Sequence, residues 1–462
     1  MQKTKFIIHL AEFKSITMKK IGIYIWLISV LTILFSACQK QKEQQPKIKY
    51  VFLFIGDGMG LNQAYISDVY LKQQGYSGIS FLNFNHIALT TTNCADTNKI
   101  TDSGAGGTAI STGRKTQFHA IGMNRKTGEK YPTIAEIAKK NGWKVGIITS
   151  VGLNHATPAC FYAHVPWRNM YNEISHQMWR SHFDFFGGGG IITQGNRDSM
   201  LQIVWDSLRA NGYNIVLNKE NFSKAISSSK RIFMTDTQSL DVDNIYYQID
   251  SLSRVSLADF TDAAIKFLNN DKGFFIMVEG GKIDWASHAN DITAMIYETL
   301  DFDKAIRRAL EFYNKHPKET IIIVTADHET GGLSYGYNLT KYNTYFDKLN
   351  KIHRSKYFLT NLLSKTGAET YAFAPIIKKY VQVDYSISVS PKTTPKEFVD
   401  RYIDSVQHSA GISWTTHAHT GTMIPTYAIG PGTEVYNGVI DNTFTFGFLL
   451  KSMKLKQENT KN

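Results

Sequence analysis

Four uninterrupted apolar runs constrain this chain more than any other feature: YVFLFI (Tyr50 to Ile55), KVGIITS (Lys144 to Ser150), GFFIMVE (Gly273 to Glu279) and TIIIVTA (Thr320 to Ala326). A strand with one wet face alternates apolar and polar residues, and these runs do not. Continuous apolarity is the pattern of parallel strands covered on both faces. Helical patterns precede three of them: TIAEIAKKNG, SLADFTDAAIKFLNN and ITAMIYETLDFDKAIRRALEFYNK. The alternation predicts an α/β fold with a central, mostly parallel sheet flanked by helices. At 462 residues the chain exceeds the size at which one core stops growing, so a large domain with insertions or a pair of domains is expected.

Two stretches lack that regularity. Residues from about Gly332 to Ser413 are rich in Tyr, Asn, Lys, Ser and Thr, and read as an insertion on the functional edge of the sheet, a lid or crown. Residues from about Asn196 to Asp243 read as peripheral elaboration with short helices. The domain then runs over 49–454 with the insertion at about 332–413, and 455–462 reads as a frayed tail.

The N-terminus carries Lys19 and Lys20, an apolar run from Ile21 to Ala37, and then Ser36-Ala37-Cys38. Charge, apolar core and small residues in that order make a signal peptide over 1–37. The ending LFSAC resembles a bacterial lipobox, which implies a lipid on Cys38, although Phe35 replaces the usual aliphatic residue; an uncleaved anchor is the alternative. The polar segment 38–48 reads as a tether. Both readings export the body, and the lipobox reading makes it a membrane-anchored lipoprotein of the periplasm or cell surface. Lysine and arginine number 51 against 39 acidic residues, but no basic block marks a nucleic-acid surface. A positive field suits an anionic substrate. Cys94 and Cys160 remain in the body, and the sequence leaves their pairing open.

The chemistry gathers where the strands end. Asp57 follows the first run, His155 and Thr157 the second, Glu279 with Asp284 and His288 the third, and Asp327-His328 the fourth. Ligands of open α/β sheets bind beyond the carboxyl ends of the strands. Taken singly, each motif has an ordinary structural explanation. IGDGMG could be a glycine turn, TDSGAGGTA a capped helix start, Asp284 and His288 a solvated i, i+4 pair, and His417 or His419 a structural histidine. Together they supply mixed His and carboxylate ligands, which suit zinc, and Thr and carboxylate oxygens, which suit magnesium. Ser103 at a helix N-terminus adds a nucleophile beside an anion-binding position. The residues alone therefore point to a two-metal hydrolase.

In order along the chain, IGDGMG, TDSGAGGTA, HATPA, EGGKID, TADH and HTG resemble the alkaline phosphatases, from about Val51 to Gly421. The resemblance implies that family's α/β sandwich and hydrolysis of small phosphate monoesters through a phosphoseryl intermediate at two zinc ions and one magnesium ion. It implies Ser103 as nucleophile and Arg168 as the phosphate-binding arginine, whose planar fork suits two oxygens. Asp57 would bridge magnesium and one zinc, with Asp327 and His328 completing that zinc. Asp284, His288 and His419 would hold the second zinc, and Thr157 and Glu279, with His155 alongside, the magnesium. His155 and Trp285 stand at positions that vary in the family; Trp285, near the substrate phosphate, cannot offer the charge of a lysine. The family is commonly dimeric, which implies a homodimer. A phosphodiesterase or nucleotide pyrophosphatase of the same superfamily is the alternative, and a non-catalytic metal-binding surface lipoprotein is the alternative of a different class.

Overall fold

The computed structural model describes residues 47–383, 385 and 387–456, and six isolated positions before residue 47. The expected export segment, the Cys38 lipid site and residues 457–462 lie outside the described residues, apart from those six positions. No helix among the described residues is long and apolar enough to cross a membrane.

Ten strands form the central sheet: β1 (Tyr50–Ile55), β2 (His86–Thr91), β3 (Lys144–Thr149), β4 (Phe185–Gly188), β5 (Tyr213–Val216), β6 (Arg231–Thr235), β7 (Phe274–Glu279), β8 (Thr320–Thr325), β9 (Ile424–Ile429) and β10 (Val439–Asp441). Their order is β10-β2-β9-β8-β1-β7-β3-β4-β6-β5. The four runs legible in the sequence are the adjacent central strands β8, β1, β7 and β3, paired in parallel. Only β9 runs against the rest.

Residues along each central strand alternate between two cores. Phe52, Phe54, Phe274, Ile276, Ile322 and Val324 face one layer, where they pack with α1 (Leu257–Leu268) and α2 (Ile292–Lys315). Val51, Leu53, Ile55, Val145, Ile147, Phe275 and Met277 face the other. Both faces are dry, so the strands show no hydrophobic alternation even though their side chains alternate. Each such buried side chain stabilises the fold by about 1.5–3 kcal/mol. The helix starts follow the sequence signals: Ser256 caps α1 in a capping box, and Asp291 caps α2 by accepting from the Ala294 N–H.

The six strands without a continuous apolar run lie at or toward the sheet's edges. Strand β4 is FFGG, and its glycines are steric necessities: a Cβ on Gly188, at φ +137°, would lie 1.9 Å from the Thr149 carbonyl oxygen. The 332–413 segment is more ordered than its composition suggests. It holds helices Lys356–Thr366 and Pro395–Ser409 around a small core of its own that includes Leu359, Leu363, Phe373, Phe398 and Ile403. Ser355 and Lys356 fasten it to the body: Ser355 donates through its N–H and hydroxyl to Asp250, and the Lys356 N–H donates to Asp291 at 2.6 Å. Cys94 and Cys160 are separate buried thiols.

One buried carboxylate is a stability liability. Asp301 on α2 accepts from the Leu257 N–H at 3.0 Å, but its Oδ1 has no partner, and burial pushes its pKa up to about 6. A native pKa above the unfolded value means that the folded state binds more protons between about pH 4 and 6, so this group's contribution falls as pH rises through that window. Asp301→Asn keeps the acceptor and removes the charge. It is expected to stabilise the protein by roughly 1–2 kcal/mol at pH 8 and by little near pH 4, as read from urea midpoints at the two pH values.

Candidate active site

The carboxyl ends of β1, β3, β7 and β8 open on one side of the sheet, and every expected ligand converges there. Asp57 follows β1 in a tight turn made possible by Gly58, whose φ is +69°. A Cβ on Gly58 would lie 2.7 Å from Thr330 Oγ1 and 2.8 Å from Asp284 Oδ1, so the turn packs directly on the next ligand. Ser103 begins a buried helix, Ser103–Thr112, capped by Asp102, whose carboxylate accepts from the Gly104 and Ala105 N–H groups. Ser103 Oγ lies 3.2 Å from His328 Nε2, 3.5 Å from Asp57 Oδ1 and 3.4 Å from Arg168 Nη1.

Three sets of side chains follow. Asp57, Asp327 and His328 bring ligand atoms within 4.8 Å of one another, as do Asp57, His155 and Glu279. Thr157 joins the second set by donating to Asp57 Oδ2 at 3.4 Å. In the third set, Asp284 Oδ1 is 3.4 Å from His288 Nε2 and 3.7 Å from His419 Nε2, and the two Nε2 atoms are 3.1 Å apart. His328 also approaches Asp284 and His419, its ring stacked on that of His419 at 3.6 Å. Asp57 thus belongs to two sets, and the three form one continuous centre.

The electrostatics of this centre demand cations. His288 Nδ1 meets the His417 carbonyl at 2.5 Å and His419 Nδ1 meets the Thr101 carbonyl at 2.9 Å. A carbonyl can only accept, so Nδ1 carries the proton in each ring, and in the neutral form both Nε2 atoms present lone pairs to each other. Burial and then the charges of Asp327, Asp284 and Glu279 hold Asp57 well above the usual carboxylate range. Burial pushes Glu279 up to about 8; burial and Asp284 push Asp327 up to about 7. His328 is held well below its ordinary value by burial and by His419, and His155 is pushed down to about 3 by burial and Arg168. Glu279 Oε1 and Asp327 Oδ2 are buried without hydrogen-bond partners, whereas His155 turns its Nε2 lone pair toward the Arg168 guanidinium. Unpartnered anionic and lone-pair atoms aimed at common points are the donor sets of divalent ions.

Arg168 carries the fixed positive charge. Its Nη1 donates to Asp102 Oδ2 at 2.9 Å and its Nη2 lies 3.3 Å from His155 Nε2, which leaves further N–H groups free for an anion. Trp285 is half-buried, with its ring 6.0 Å from that of His155. The nearby Lys282 does not replace the charge Trp285 lacks: its ammonium donates to the Ile245 carbonyl at 2.8 Å and sits 3.6 Å from the Tyr247 ring centroid.

Further residues orient the centre without being among the expected ligands. Asp102 caps the Ser103–Thr112 helix, orients Arg168 and accepts from the His119 N–H at 2.8 Å. Burial alone would raise its pKa, but the His119 hydrogen bond and the Arg168 charge outweigh that and hold it low. Thr149 donates to Glu279, and Thr330 to Asp284 Oδ1 at 2.5 Å. His417 returns the bond it receives, with its Nδ1 2.9 Å from the His288 carbonyl. The TDSG cap signal marked Asp102; the other contacts depend on residues far apart in sequence.

Comparisons with known proteins show what the chain is similar to. The sequence matches the alkaline phosphatase family over residues 48–455. It is 31% identical over 437 residues to alkaline phosphatase 4 of Bacillus subtilis, covering 90% of each chain. Among solved structures, a cold-active alkaline phosphatase from Shewanella sp. superposes with a TM-score of 0.75 at 25% identity, covering 87% of this chain and 99% of that one. Alkaline phosphatase from the Antarctic bacterium TAB5 is 31% identical with a TM-score of 0.66, covering 90% and 100%, and a histidine-to-aspartate mutant of it is described with magnesium bound in its M3 site.

Proposed function

The chain belongs to the alkaline phosphatase family and is a phosphomonoesterase, and from that premise we propose that it acts through a phosphoseryl intermediate on Ser103 at a centre of two zinc ions and one magnesium ion. The observation that carries the metal reading is the pair of Nε2 atoms of His288 and His419, 3.1 Å apart beside the Asp284 carboxylate with both Nδ1 protons engaged elsewhere. Two histidines and a carboxylate suit zinc, and Asp57, Asp327 and His328 offer a second mixed set. Asp57, Thr157 and Glu279, with His155, form the oxygen-rich set that suits magnesium. Bound there, the ions supply Lewis acidity that lowers the pKa of hydroxyl groups and offsets charge on the phosphoryl and leaving oxygens.

The chain's own residues do the rest. Ser103, fixed at the helix start by the Asp102 cap, loses its proton, and Oγ forms a bond to phosphorus while the ester P–O bond breaks. The departing alcohol oxygen takes that electron pair and a proton. Arg168 holds phosphoryl oxygens in both steps. Water then attacks phosphorus and restores the Ser103 hydroxyl as phosphate is formed. Burial of Ser103, Asp57 and His328 keeps bulk water from screening these charges.

Zinc- and magnesium-loaded protein is expected to hydrolyse p-nitrophenyl phosphate far faster than bis-p-nitrophenyl phosphate, with the activity rising into alkaline pH and abolished by chelator. Diester preference would move the protein to the sister phosphodiesterases. Activity insensitive to chelator would remove the metal reading.

The Asp102 contacts make a separate expectation. Asp102→Ala frees Arg168 and uncaps the helix, so the inhibition constant for inorganic phosphate should rise about tenfold and stability should fall by about 1 kcal/mol. Competitive inhibition and thermal melts measure the two effects.

We also propose export and lipid anchoring at Cys38, supported by the order of charge, apolar run and LFSAC in the sequence. Transfer from the membrane to the soluble fraction in Cys38→Ser is the expected result.

A further inference from the structure

A cavity of about 590 Å³ borders the catalytic centre, with Asp102, Arg168, His288 and His419 in its lining. A phosphate would fill only a small part of that volume, which leaves room for the alcohol of an ester. The outer wall comes from Lys99, Ile100, Phe118 and His119, none of which belongs to the catalytic centre.

That wall is built rather than merely exposed. The Phe118 N–H donates to Asp96 Oδ2 at 2.8 Å and the His119 N–H to Asp102 Oδ1 at 2.8 Å. His119 adopts a φ of +69°, uncommon for a residue with a side chain, and those two bonds hold it there. Its ring meets Phe118 edge-on at 4.0 Å, and the Lys99 ammonium lies 4.7 Å from the Phe118 ring centroid. Nearby carboxylates are already engaged: Asp96 by the Phe118 N–H, and Asp102 by Arg168 and the helix N–H groups. No described carboxylate pairs with Lys99. The wall therefore presents a cation, held against Phe118 and with no carboxylate partner among the described residues, on the cavity it shares with Arg168, His288 and His419.

We propose that Lys99 is a specificity-determining residue that selects phosphate monoesters whose alcohol carries a second anionic group, a carboxylate or another phosphate. The inference rests on the phosphomonoesterase reading and names the substrate class of that same site. An ammonium already stacked on an aromatic ring has lost part of its freedom, so pairing with a substrate anion costs less than it does at an unrestrained surface lysine.

Two matched substrate pairs test it on the metal-loaded enzyme: 3-phosphoglycerate against glycerol 3-phosphate, and fructose 1,6-bisphosphate against fructose 6-phosphate. The first pair differs by a carboxylate close to the ester and the second by a phosphate across the sugar, so the arms separate the two sources of charge. In Lys99→Met the kcat/KM ratio of the member with the second anionic group to the member without it should fall roughly fivefold in at least one pair, the size expected of a partly exposed ion pair. Lys99→Arg should keep the wild-type ratio, and high salt should erase the wild-type preference. Unchanged ratios in both pairs, with wild type active on all four esters, would overturn the inference and leave the phosphomonoesterase reading intact. Wild type inactive on all four would overturn both.

Discussion

Ser103→Ala is expected to lower kcat for p-nitrophenyl phosphate by about 10³- to 10⁵-fold while leaving the metal content close to that of wild type. The hydroxyl lies within 3.5 Å of Asp57, His328 and Arg168 at once, and no other described hydroxyl is held by all three. An alanine removes the attacking atom and little else, because the helix is capped by the preceding Asp102. What remains is attack by water on a phosphate positioned by Arg168 and the ions, a slower route that sets the floor. Single-turnover kinetics on wild type and variant, with metal content measured on the same samples, checks both halves. A variant retaining most of its kcat would mean that Ser103 is not the nucleophile.

The second large effect belongs to Asp57→Asn. Asp57 is buried and shared by two of the three ligand sets, so one substitution weakens two ion sites. It also takes away the carboxylate nearest both Ser103 and Thr157. The expected outcome is loss of about 10³-fold in kcat together with a fall in bound metal to about half or less, since removing a shared charged ligand costs more than the ten- to hundredfold typical of an outer-shell partner. The same substitution relieves repulsion among Asp57, Asp327, Asp284 and Glu279. The metal-free variant should therefore melt at a higher temperature than the metal-free wild type, even as its activity collapses. Elemental analysis and paired melts with and without chelator read the two effects separately. Wild-type metal content in Asp57→Asn would contradict the shared-ligand assignment.

How much of this was legible in the sequence follows from which interactions are local. The central strands announced themselves because both their faces are dry, and the residues after them were legible as a site because strand ends in an open α/β sheet point one way. Strand β4 was hidden by Gly188, which its packing against Thr149 requires, whereas helix Pro395–Ser409 carries a local signal, Phe398, Val399, Tyr402, Ile403 and Val406 at helical spacing behind a Thr394–Glu397 capping box, diluted by the polar composition of the surrounding segment. The i, i+4 spacing of Asp284 and His288 was readable because it lies within one helix turn. The groups that aim those ligands were not: His417 meets His288 across 129 residues, and Asp102 meets Arg168 across 66. A sequence names residues of the right chemistry. Which ring nitrogen carries the proton depends on a carbonyl brought in by the fold.

The most direct test of the account is an acid quench of the metal-loaded enzyme during turnover of a phosphate monoester at mildly acidic pH, followed by peptide mass spectrometry. The account predicts one phosphoryl group on the peptide containing Ser103, located on Ser103, absent after chelator treatment and absent in Ser103→Ala. Full turnover with no phosphorylated Ser103 peptide, or the same peptide phosphorylated on a neighbouring residue in Ser103→Ala at an undiminished rate, would contradict it.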